Sequence, residues 1–144
     1  MIDQMARKIA ACLLNEFRLG TISNEEYERR YPESESDSSV FEIYRQIWFL
    51  YSDIREHKLT GKYKLNIEQS EFVERCILFL RNDVEFEWPS PRFNPWQSLL
   101  RFLGFREKID EAANGEENVW PFNEKAQYEQ ALTNSANAFS VNGY

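Results

Sequence analysis

Residues 40–54 read VFEIYRQIWFLYSDI, and the spacing of their apolar side chains decides the fold. Val40, Ile43, Tyr44, Ile47, Tyr51 and Ile54 recur at intervals of three and four, with Phe41, Trp48 and Leu50 at the edges of the same stripe. That is the period of an amphipathic helix, and it predicts one running from Val40 to about Glu56. Phe49 falls on the opposite side, among Glu42, Arg45, Asp53 and Glu56. A large aromatic ringed by carboxylates is expected to anchor a protein partner. A second helix of the same chain laid over Phe49 would explain it as well.

Working outward, the same period recurs on both sides. A first helix is predicted from about Asp3 to Leu19, with Met5, Ile9, Cys12, Leu13 and Phe17 inward and Gly20 as its stop. Ser23 with Glu26 reads as a capping box for a short second helix that Tyr31-Pro32 ends. The run ESESDSS (33–39) is a polar loop, and Asp37, Ser38 or Ser39 can cap the third helix. Asn66 with Gln69 opens a fourth, to about Arg81, burying Phe72, Val73, Cys76, Ile77, Phe79 and Leu80. Leu78 falls on its charged side, a second misplaced apolar residue.

Beyond Arg81 the pattern changes. Val84, Phe86 and Trp88 alternate with Asp83, Glu85 and Glu87, which predicts a short extended segment over 83–88 rather than a sheet. Asn94-Pro95 is expected to open a further helix with Trp96, Leu99, Leu100 and Leu103 inward, closed by Gly104. A helical continuation over 106–113 ends at Asn114-Gly115. Trp120-Pro121-Phe122 reads as an aromatic latch. Asn123 caps a last helix to about Leu132, and residues 133–144 read as a polar, frayed tail. The expectation is a mostly α, single-domain bundle of six or seven helices over residues 1–132.

The 144 residues suffice for a core without metal or disulfides. Cys12 and Cys76 lie on predicted apolar stripes and are expected to be buried, reduced thiols. The net charge of −7 opposes nucleic acid and anionic membrane surfaces, and would steer a basic protein toward the chain. No apolar run is long enough to span a bilayer, and the start lacks the pattern of a signal peptide, so a cytoplasmic location is expected.

Chemistry is sparse. The one histidine, His57, forms a D-x-x-E-H cluster with Asp53 and Glu56, but a metal site needs three or more converging ligands. Its place near the expected helix end is explained by the helix dipole. Glu85 and Glu87 beside Trp88 form a carboxylate pair of the kind expected by chance among 24 acidic residues. The basic group Arg55, Lys58, Lys62 and Lys64 with Tyr63 is opposed by the field of the whole chain. No phosphate-cradling glycine loop or nucleophile elbow is present. The expectation is no catalytic residue, no cofactor and no metal.

The stretches WFLYSD (48–53), YSDIREHKLTGKY (51–63), CILFLRNDVEFEWP (76–89) and WPF (120–122) give residues 40–125 a texture that resembles small, acidic bacterial proteins of the toxin-immunity type. The resemblance carries no defined motif, and no residue role is taken from it. It implies a non-catalytic domain that neutralises a more basic toxin by direct contact. Phe49, Glu42, Asp53, Glu56 and Leu78 are then the expected partner-binding residues. A structural or regulatory homo-oligomer subunit is the alternative, and an enzyme or metal protein using Asp53, Glu56 and His57 a third.

Overall fold

The computed structural model describes residues 1–88 and 117–141, the side chains as far as Ala138. These hold five α-helices: α1 (Gln4–Arg18), α2 (Asn24–Arg30), α3 (Ser38–Trp48), α4 (Ile67–Leu80) and α5 (Lys125–Val141). Short 3-10 turns lie at Gly61–Tyr63 and Glu117–Val119, and there is no strand among the described residues. The helices expected after Asn94 and over 106–113 fall outside the described residues.

Helix α1 packs most extensively on α4. Its inward face is Ala6, Ala10, Leu13, Leu14 and Phe17, with Ala11 and Arg7 also buried. Three alanines, Ala6, Ala10 and Ala11, thus take buried positions that the bulkier residues of α1 were expected to fill. Met5, Ile9 and Cys12, expected inside, are exposed, whereas Cys76 is buried as expected. Burial pushes the Cys76 thiol well above its ordinary pKa.

Gly20 ends α1 as predicted, at φ +73°. Its N–H donates to Phe17 O and that of Thr21 to Glu16 O, the two bonds of a Schellman cap. Around this end an aromatic cluster joins the first three helices. Phe17 stacks on Tyr27 at 4.7 Å, and Tyr27 contacts Tyr31, Tyr44 and Tyr51.

A buried ion pair ties α1 to the start of α3. The Arg7 Nε donates to Asp37 Oδ2 at 2.6 Å and Nη2 to Asp37 Oδ1 at 3.3 Å. Nη1 donates to the carbonyls of Asn82 and Val84, and the guanidinium lies over the Phe79 ring. A charge can be buried only when its donors are met in this way. Asp37 also caps α3 through the Ser39 N–H and accepts from the Ser39 hydroxyl. Burial alone would raise its pKa. The hydrogen bonds from Arg7, Ser39 and the Asp3 N–H, with the charge of Arg7, outweigh that and hold it below the ordinary value.

Residues 83–88 have no regular structure but keep their alternation: Val84, Phe86 and Trp88 are half-buried and the three acids exposed. Trp120-Pro121-Phe122 holds this segment to α4. Trp120 stacks on Phe72 and meets Phe86 edge-on, its carbonyl accepts from Arg75 Nε at 2.7 Å, and the Trp88 indole donates to Phe122 O.

Asn66 and Gln69 form the full capping box at the start of α4. At α2 only the Ser23 half is seen, since the Glu26 carboxylate pairs with Arg30. Helix α5 runs to Val141, past the expected end at Leu132. Alanines and i to i+4 bonds such as Gln130 to Asn134 sustain it through the polar stretch read as frayed.

Candidate protein-binding face

The helix expected to reach Glu56 stops at Trp48, with Phe49 as its C-cap. Neither glycine nor proline marks this end, and its cause is tertiary. Asn24, buried at the start of α2, forms a reciprocal pair with His57: its N–H donates to His57 O at 2.9 Å, and its Oδ1 accepts from the His57 N–H at 2.8 Å. Its Nδ2 donates to Arg55 O at 3.2 Å and sits at the limit of a bond to Ser52 O. Ser23 adds a bond to the Glu56 carboxylate at 2.7 Å. Tyr51 is drawn inward, edge-on to Phe17 and donating to Glu28. Residues 49–60 therefore fold back over α2, and Ser52 and Asp53, poor helix formers, yield easily.

Helix α3 and the loop after it expose four large apolar residues. Phe41 is 60 % exposed, Trp48 41 %, Phe49 69 % and Ile54 86 %. Phe41 and Trp48 lie two turns apart on one side of α3, and the Trp48 and Phe49 rings meet edge to face at 5.7 Å. The core side of α3 is Val40, Ile43 and Ile47, with Tyr44 partly buried. Phe41, Trp48 and Ile54 are thus not part of the buried stripe assigned to them. Ile54 is out because the helix has already ended.

The acidic rim changes as well. Glu42 is buried rather than on the rim, 8 % exposed and paired with Arg45 at 2.8 Å. Asp53 and Glu56 are exposed, but they stand on the loop and not on α3, and Glu56 is tied to Ser23. Leu78 belongs elsewhere. It is half-buried against the core and lines a cleft between α1, α4 and α5 to which residues 40–60 contribute nothing.

His57 sits at no helix end. Its ring is buried, stacked on Tyr63 at 3.9 Å, with Nδ1 2.8 Å from Arg55 O. A carbonyl can only accept, so Nδ1 carries the proton there, while Nε2 is buried with no hydrogen-bond partner among the described residues. The ring is part of the clamp and does not converge with Asp53 and Glu56. No group of three His, Cys, Asp or Glu side chains is placed to hold a metal among the described residues. Glu85 and Glu87 are exposed, Glu85 lying 3.7 Å from the Met1 amino group. No described helix is long and apolar enough to cross a membrane.

Sequence reasoning missed Asn24 and Arg7. Asn24 lies in a run of polar residues (NEEYERR) that reads as solvent-facing, and Arg7 sits between alanine and lysine. Neither position carries a local signal of burial. No family model, curated protein or solved structure matches the chain.

Proposed function

We propose that the chain is a non-catalytic protein-binding domain, and that its partner is a basic protein, a toxin neutralised by direct contact. The observation that carries the reading is the exposed Trp48–Phe49 ring pair at the end of α3, with Phe41 and Ile54 also exposed on the same helix and the loop after it. Large exposed aromatics side by side mark interaction surfaces, and aromatic anchors supply most of the affinity where proteins meet. The net charge of −7 favours a basic partner, with Asp53 and Glu56 as the exposed acids on the adjoining loop. The toxin assignment follows from the resemblance of residues 40–125.

Co-expression with the products of the two flanking genes tests this. The expected result is a one-to-one complex that Phe49→Ala weakens by about 2 kcal/mol or more while leaving the fold intact. Asp53→Lys should slow association, and added salt should do the same. No complex with either product, or a complex indifferent to Phe49→Ala and Trp48→Ala, would overturn the reading. A homo-oligomer seen by light scattering and dissolved by the same substitutions would assign the face to self-association instead.

A further inference from the structure

The cleft between α1, α4 and α5 is a separate feature, and nothing said of the Phe49 face bears on it. It encloses about 600 Å³, within the usual range of small-molecule sites. Its charge runs against that of the molecule. Among the described residues Arg18, Arg75 and Arg81 line it with a single carboxylate, Glu74, in a chain where 24 acidic residues outnumber 17 basic ones. Glu74 is already engaged, accepting from Arg18 Nη1 at 2.9 Å. The other two arginines have no carboxylate among the described residues.

Arg75 is held ready rather than loose. Its Nε donates to Trp120 O and its guanidinium lies over the Phe72 ring at 5.5 Å. Those contacts fix the side chain and leave its two terminal nitrogens without a hydrogen bond among the described residues. The Arg81 side chain makes no hydrogen bond or ion pair among the described residues, its backbone N–H alone being engaged, at Ile77 O. The dipole of α4 favours a cation at its C-terminal end, which accounts for Arg81 but not for Arg75, in the body of the helix. Ile77, Leu78, Tyr128 and Leu132 give the remaining wall an apolar part, beside polar side chains of Asn15, Asn82, Asn134 and Ser135.

We propose that this cleft binds a small organic oxyanion, a phosphate ester or carboxylate with a compact apolar body. Arg75 and Arg81 hold the anionic group, and the wall of Ile77, Leu78 and Leu132 takes the body. Guanidinium forks match both kinds of oxyanion, and such charge-assisted bonds are the stronger ones. The cleft also explains why Leu78 lies on the charged side of α4.

Calorimetric titration of the full chain at low salt tests this with four probes: phenyl phosphate, benzoate, benzyl alcohol and inorganic phosphate. Saturable binding of phenyl phosphate or benzoate is expected, with none for benzyl alcohol and weaker binding of inorganic phosphate. Whichever aryl anion binds more tightly names the oxyanion. Arg81→Gln and Arg75→Gln should each weaken that binding about tenfold or more, the loss of one charge-assisted contact. Arg81 is exposed, so Arg81→Gln keeps the fold and decides the matter even if Arg75→Gln does not. The proposal is overturned if neither aryl anion binds at millimolar concentration. It is equally overturned if binding survives Arg81→Gln, or if inorganic phosphate binds as tightly as phenyl phosphate.

Discussion

The two ends of α3 are made by different kinds of information. Its start is local: Asp37 caps the first turn through the Ser39 N–H two residues on. Its end is imposed from a distance, by an asparagine 28 to 33 residues earlier that holds the backbone of 52–57. The end of α1 falls on the local side, since Gly20 supplies the left-handed residue its cap requires. Helix ends encoded by their own residues can be read from sequence. An end set by a tertiary clamp overrides a periodic apolar pattern that would otherwise continue, and here it leaves Phe49 at the cap and Ile54 on the loop, both in solvent.

The largest effect is expected at the start of α3, because its cap is also half of a buried ion pair. Arg7→Ala or Asp37→Ala leaves the other charge buried alone and should cost about 3–5 kcal/mol in chemical denaturation. A loss under about 1 kcal/mol would mean that water reaches the pair, and that the start of α3 is only a local cap. The same pair sets an acid limit. The folded pKa of Asp37 lies below its ordinary 3.8, so its contribution is complete above that value and is lost as the pH falls through and below it. Asp37→Asn should be less stable at neutral pH and lose less on acidification. A titration parallel to that of the native chain would contradict this.

At the other end, Asn24→Ala removes the partners of the Ser52, Arg55 and His57 backbone groups. It should cost about 1–3 kcal/mol, the penalty for leaving buried polar groups unmet. An unchanged denaturation midpoint would show that α3 ends for a reason of its own. Gly20→Ala sharpens the contrast with a purely local stop. The strained backbone should cost about 1–2 kcal/mol. Added to this is a Cβ only 2.6 Å from the Thr60 methyl, which must move.

The helical class, the cap at Asn66, the stop at Gly20 and the burial of Cys76 were legible because each rests on residues close in sequence, and the cap of α3 was narrowed to Asp37, Ser38 or Ser39, of which Asp37 serves. The inward face of α1 was legible only in part. Leu13 and Phe17 lie inward as expected, but the rest of the face includes Ala6, Ala10 and Ala11, which carry little apolar signal beside Met5, Ile9 and Cys12. Of the candidate face, Phe49 was singled out for the wrong geometry. It was placed on the polar side of a longer helix with Glu42 beside it, whereas it caps a shorter one, and Glu42 is buried against Arg45. The cleft gave no signal in the sequence, since which residues line it depends on how α1, α4 and α5 pack.

The account turns on Phe49 being a surface residue displayed by the early end of α3, and the denaturation free energy of Phe49→Ala tests that most directly. A ring 69 % exposed, with Trp48 its one aromatic contact among the described residues, should cost about 0.5 kcal/mol or less when truncated. A loss of about 3 kcal/mol or more, the signature of a buried phenylalanine, would make Phe49 a core residue and remove the basis for the face.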